Sequence, residues 1–204
     1  MTPSPSPTFR LLLFVALAGL LTGCGINNVP TYEEEVNAQW SQVVNQYKRR
    51  ADLIPNLVKT VQGYATHEKE VLTQVTEARA KVSQMQLPPD VLSDPEAFKA
   101  FQKSQAQLGS ALSRLMVVVE RYPELKANQN FLSLQSQLEG TENRIAVARR
   151  DYIEAVKRYN TELRTVPGRW WAALAYPDAE PKQNFSVSQA EMEVIEQPPA
   201  VQFN

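Results

Sequence analysis

The only histidine of the chain, His67, is followed by a carboxylate, Glu68. That pair opens the H-E-x-x-H pattern, in which two imidazoles one helical turn apart hold zinc, but the second position is Val71 and the metal pair is incomplete. A Glu-x-x-His di-iron motif fails as well, because Tyr64 stands three residues before His67. His67 therefore reads as a surface or boundary side chain. One cysteine closes no intrachain disulfide, and seven glycines include neither a G-x-x-x-x-G-K-S/T nor a G-x-G-x-x-G phosphate cradle. No Ser or Lys lies in a recognisable nucleophile motif. The 21 basic and 22 acidic side chains give a formal net charge of -1, which supplies no basic face for nucleic acid. No catalytic residue, metal ligand or cofactor is expected. The charges that remain of interest are Arg50 and Glu68, which fall on otherwise apolar helix positions where an unpaired charge is expensive to bury. Counting levels from a turn near Pro89 places Arg114 opposite Glu68, so these three residues are expected to form a structural polar layer that fixes register. A ligand-binding or catalytic pocket of carboxylates and arginines is the alternative.

Near the N-terminus Arg10 is followed by an unbroken apolar run over residues 11–21, leading into Leu21-Thr22-Gly23-Cys24. Eleven residues are too few to span a bilayer, which takes about 20. The run suits the apolar core of a secretory signal followed by small residues at a cleavage site. Leu21-Thr22-Gly23-Cys24 resembles the lipobox of bacterial lipoproteins, which implies cleavage before Cys24, lipid on its thiol, a signal peptide over 1–23 and a short lipidated tether over 24–31. Each buried CH₂ adds about 0.8 kcal/mol, so two or more acyl chains hold a protein firmly at a membrane. Gly25 stands where an Asp usually signals inner-membrane retention in Gram-negative lipoproteins. By that resemblance the protein would sit on the periplasmic face of the outer membrane.

Three heptad-patterned stretches follow. Thr31-x-x-Glu34 has the form of a capping box, so a helix is expected from about Tyr32. Spacings of three and four then select Trp40, Val43, Tyr47, Arg50, Ile54, Leu57, Val61, Tyr64, Glu68, Val71, Val75, Ala78, Val82 and Met85. All but Arg50 and Glu68 are apolar or aromatic, a sustained bundle seam. Asp94-Pro95-Glu96 supplies a cap, a proline at the first helical position and a first-turn acid for a second helix. Its seam runs Phe98, Phe101, Gln105, Leu108, Leu112, Leu115, Val119 and Tyr122, and Pro123 stops it. The third runs from about Asn128 through Phe131, Leu134, Leu138, Thr141, Ile145, Ala148, Tyr152, Ala155 and Tyr159, drifting to Leu163, and Pro167-Gly168 closes it. No stretch alternates with period two long enough for a strand. The fold class is all-α, an antiparallel up-and-down bundle over residues 32–176. The first pattern is too long for its partners, and a break at Pro55, which removes a ladder hydrogen bond, would turn three long helices into four. Residues 177–204 hold five acids, one base and four prolines and are expected to be a mobile or loosely packed tail.

The string YKRRADLIPNLVKTVQGYATHEKEVLTQVTEAR, residues 47–79, resembles the signature region of the LemA family of bacterial envelope proteins. FLSLQSQLEGTENRIAVARRDYIEAVKRYN, residues 131–160, is similar to the family's other characteristic helix. The resemblance implies a membrane-attached four-helix-type bundle and carries no catalytic mechanism. Association is the function expected, with envelope proteins, with a second copy or with the bilayer. Trp170 and Trp171, just after Pro167-Gly168, either cap the core or touch the membrane at headgroup level, where indoles are favoured.

Overall fold

The computed structural model describes residues 25–185 together with Thr8. Cys24, the rest of the signal segment and residues 186–204 lie outside the described residues. Four long helices carry the body: α1 Asn28–Gln62, α2 Lys69–Gln84, α3 Pro95–Val119 and, after the single turn α4 Pro123–Lys126, α5 Gln129–Glu162. A short helix, α6 Gly168–Ala175, follows.

Contacts between helices fix their directions. On α1 and α5, Glu35 meets Arg158, Gln46 meets Arg144 and Arg50 meets Glu142, so the two run antiparallel along most of their length. Trp40 packs on Phe98 and Phe101, and Arg50 on Gln105, so α3 runs parallel to α1. Gln74 and Met85 of the second arm meet Arg114 and Ser104, so α2 returns antiparallel to α3. The order is up, down, up, down. The expected all-α bundle is therefore what the chain forms.

Three sequence expectations are corrected. The first helix does not break at Pro55, which lies inside α1 with its ring exposed. The ladder bond that Pro55 cannot make frees the Ala51 carbonyl, and Arg79 Nε of α2 donates to that oxygen at 3.4 Å. Meanwhile Arg50, Ile54, Leu57 and Val61 keep one buried stripe across the proline. The break comes over residues 63–68, where Tyr64 and Ala65 bond back to the Val61 carbonyl and Ala65 is buried in the turn. Replacing Pro55 by Ala should raise stability by up to about 3 kcal/mol, less whatever the Arg79 bond to Ala51 contributes. Urea unfolding would measure it, and a loss of stability would contradict this account of the proline.

The helix also starts earlier than Thr31 suggests. Asn28 opens it, Pro30 sits in the first turn where N–H groups lack ladder partners, and the Thr31 hydroxyl donates to the Asn27 carbonyl at 2.7 Å. Only residues 25–27 of the described tether are outside the helix. By contrast Asp94 caps α3 as expected, accepting from Glu96 N at 2.8 Å and Ala97 N at 3.2 Å. Asn128 does the same for α5 through Asn130 N and Phe131 N.

The third correction concerns residues 177–185, whose composition predicts a mobile or loosely packed segment. They lie against the bundle, with Gln183 N donating to the Leu92 carbonyl at 2.6 Å and Tyr152 Oη donating to the Gln183 carbonyl at 2.7 Å. The physical reason is that α2 has 16 residues against 35 in α1 and leaves half of one wall open. The connection 85–94, with Val91 and Leu92 buried, and residues 177–185 close that half.

Candidate functional site

Two places concentrate polar or exposed chemistry on this frame. One is inside. The buried side chains fall into an upper cluster around Ile54, Leu57, Leu108, Leu115 and Phe131 and a lower one around Trp40, Phe98, Phe101 and Tyr152. Arg50 lies between them, 4% exposed. Its Nη2 donates to Gln105 Oε1 at 2.7 Å and to the Gln105 carbonyl at 3.1 Å, and its Nη1 donates to the Glu142 carboxylate at 3.2 Å. The guanidinium stands 5.0 Å from the centre of the Tyr47 ring, a cation–π distance. Burial raises the Tyr47 phenol above its ordinary pKa although Arg149 and Arg50 act against it. This phenol stays neutral at any physiological pH.

A buried charge is tolerable only when paired and bonded, and Arg50 achieves this at both Nη atoms by drawing on three helices at once, while its buried Nε has no partner. The layer therefore sets the level of α3 and α5 against α1. None of Arg50, Gln105 and Glu142 lines any of four surface grooves of about 270–500 Å³ among the described residues. The one of largest volume among these four, between α1 and α2, has only Lys69 and Glu77 as charged lining residues.

The expected grouping of Arg50, Glu68 and Arg114 is corrected. Glu68 lies at the upper turn, paired with Arg121 at 2.9 Å and accepting from Tyr122 Oη at 3.1 Å. Arg114 bonds instead to Gln74 at 3.3 Å. The level count assumed that the chain reverses at Pro89. In the structure it runs on past Val91 and Leu92 and reverses at Asp94-Pro95, which moves every facing residue of α3 by nearly two helical turns. His67 is exposed, and no cluster of three or more metal-ligating side chains occurs among the described residues.

The second place is the end of the bundle where α1 begins and α5 finishes. Gly168 packs on the last turn of α5, and Asn28 Nδ2 donates to Glu162 Oε1 at 3.1 Å, tying the start of α1 to the same turn. A Cβ at Gly168 would overlap the Glu162 carbonyl oxygen and side chain. Gly168→Ala should therefore cost about 1–3 kcal/mol and displace α6, read as lower urea resistance with greater quenching of Trp171 by acrylamide. An unchanged unfolding midpoint would mean that α6 is not seated as described.

From this seat α6 divides the two tryptophans. Trp171 is half-buried, and a Cβ at Gly25 would lie 3.9 Å from its Cδ1. Trp170 is 65% exposed and Leu174, one turn on, 78% exposed. Val166, two residues before α6, is exposed too, as are Arg164 and Arg169, neither of which forms an ion pair among the described residues. Gly25, the residue after Cys24, has φ +102°, a left-handed conformation that favours glycine. No described helix is long and apolar enough to cross a membrane.

The class defined here is a four-helix-type bundle with one buried arginine layer and one apolar end. The LemA family model matches residues 39–203, and the chain belongs to that family. It is similar to magnetosome protein MamQ 1 of Paramagnetospirillum magneticum, 28% identical over an alignment of 166 positions that covers 74% of this chain and 60% of that protein. It is also similar to MamQ of Magnetospirillum gryphiswaldense, 26% identical over 73% of this chain and 60% of the relative. Protein LemA of Metamycoplasma hominis is 24% identical over 79% of this chain and 73% of its own length. The chain thus spans 60% of the length of the MamQ relatives it matches.

Proposed function

We propose that this protein is a non-enzymatic, lipid-anchored helical bundle that serves as an interaction or scaffold module of the cell envelope. Membership of the LemA family supports attachment to a membrane, and the apolar end of the bundle gives that attachment a direction. The observation that carries the reading is the exposed face of Trp170 and Leu174 on α6, the helix whose Trp171 lies against Gly25, the residue that follows Cys24 in the sequence. Large apolar side chains clustered on one small face need a cause, and an indole at headgroup depth is a favoured one. Acyl chains on Cys24 would hold that face against the bilayer, with Arg164 and Arg169 at the level of anionic headgroups. The bundle would then stand on the membrane by the end where α1 starts, presenting the 63–68 turn and α4 to partners farthest from it.

Mass spectrometry of the protein recovered from membranes tests the anchor. The expected chain begins at Cys24 and carries added acyl mass, and Cys24→Ala leaves the signal uncleaved. An unmodified chain beginning at Met1 would overturn the reading.

A further inference from the structure

The segment that closes the lower half of the bundle is held in an unusual way. Residues 181–185 form no helix or strand. Asn160 of α5 grips the backbone of Lys182 at both ends, its Nδ2 donating to the Lys182 carbonyl at 2.9 Å and its Oδ1 accepting from Lys182 N at 2.9 Å. Tyr152 Oη and the Leu92 carbonyl hold the backbone of Gln183. These four bonds read main chain and would be available to any extended peptide.

Two side chains supply the selectivity. Lys182 Nζ reaches the Glu33 carboxylate at 2.7 Å and lies 5.6 Å from the centre of the Tyr159 ring. Three residues on, the Phe185 ring sits among Trp40, Phe98 and Tyr152, at centroid distances of 6.4, 5.2 and 5.5 Å, beneath the Arg149 guanidinium at 4.5 Å. The receiving surface comes wholly from α1, the 85–94 connection, α3 and α5. The segment itself contributes one ring, one ammonium and its own backbone, and Pro181 and Asn184 face solvent.

We propose that this groove is a peptide-recognition site which the chain's own 181–185 segment occupies, and that it accepts an extended segment of a partner protein carrying a cation followed three residues later by an aromatic ring. The pattern is argued from the seated segment: Glu33 selects the cation, the aromatic wall under Arg149 selects the ring, and Asn160, Tyr152 and the Leu92 carbonyl fix the strand between them. Covalent linkage gives the resident segment a high effective concentration, so it acts as a tethered competitor and lowers the apparent affinity for any segment arriving from outside. This site is separate from the α6 face and does not depend on membrane attachment.

The test uses the full chain and a fluorescent synthetic peptide of residues 179–188. Wild-type protein should bind it weakly. The double variant K182A/F185A, whose own segment has lost both selective side chains, should bind it at least about tenfold more tightly, and should not bind a peptide with alanine at the two corresponding positions. A folded double variant that takes no peptide, or equal binding by wild type and variant, overturns the proposal. Hydrogen exchange on isotopically labelled wild-type protein gives a second decision that needs no variant. An excess of unlabelled peptide should speed exchange at the Lys182 and Gln183 amides, which donate to Asn160 and Leu92, and leave the α1 and α5 amides unchanged. If these two amides ignore the peptide, or exchange only with global unfolding, the segment is a fixed part of the core and the proposal fails.

Discussion

Arg50→Ala should lower the free energy of unfolding by about 3–5 kcal/mol, the range for removing one partner of a buried ionic network. The loss combines three things. The Gln105 side chain and carbonyl lose their donor in the interior, the Tyr47 ring loses its cation, and the space vacated by the stem lies between two well-packed clusters. Glu142 contributes less, because its side chain is 46% exposed and can turn to water. Glu142→Gln should accordingly cost no more than about 1 kcal/mol. Charge as such is not what stabilises the layer. Arg50→Met combined with Gln105→Leu, which removes charge and acceptor together at similar volume, should return to within about 1.5 kcal/mol of wild type. Urea unfolding of the three variants separates these outcomes. A cost below about 1 kcal/mol for Arg50→Ala would mean that the guanidinium is solvated and the layer does not set register.

Trp40→Ala should be equally severe, at about 3–5 kcal/mol, because its ring is the hub of the lower cluster. It meets Phe101 edge-on at 5.0 Å, Tyr152 at 5.5 Å and Phe98 at 5.6 Å, and its outer edge supports Phe185. Trp40→Phe retains most of that contact and should lose far less. The alanine variant should also loosen residues 181–185 ahead of the helices, seen as faster exchange at the Lys182 and Gln183 amides. Unchanged protection there would mean that the segment is held by its backbone bonds alone.

Much of this was legible in the sequence. The seam that spacing selects on α1, from Trp40 through Arg50 to Val61, is the buried stripe, and so are the α3 seam from Phe98 to Val119 and most of that on α5. Helical periodicity reports which face is buried, and it does so well where neighbours run the full length of the helix. It reports poorly where the chain turns. Tyr64 continues the heptad count yet is exposed, because residues 63–68 have already left the helix. Pro55 signals a break by its own chemistry, and the compensating donor, Arg79, lies 24 residues away on another helix.

The partners of Arg50 were hidden for a related reason. Arg50 was conspicuous as a charge on an apolar seam, but Glu142 sits beside the α5 seam and not on it. Only the rotation of α5 against α1 brings its carboxylate within reach. The packed segment 177–185 carries prolines and acids that read as a mobile tail, and its order comes from the wall that a short α2 leaves open. Asn160 and Tyr152, which hold that segment, have no local signature, since each resembles an ordinary helical residue until the facing backbone is in place.

Fluorescence quenching by lipids brominated at known depths tests the central claim most directly, that the bundle stands on the bilayer by its α6 end. In a Trp40→Phe background the remaining emission comes from Trp170 and Trp171 alone. With the protein anchored to vesicles through Cys24, quenching should be strongest for bromines near the headgroups and should fall in Trp170→Phe more than in Trp171→Phe. Emission that is unquenched, and unchanged from that of a soluble form without the anchor, would contradict the account.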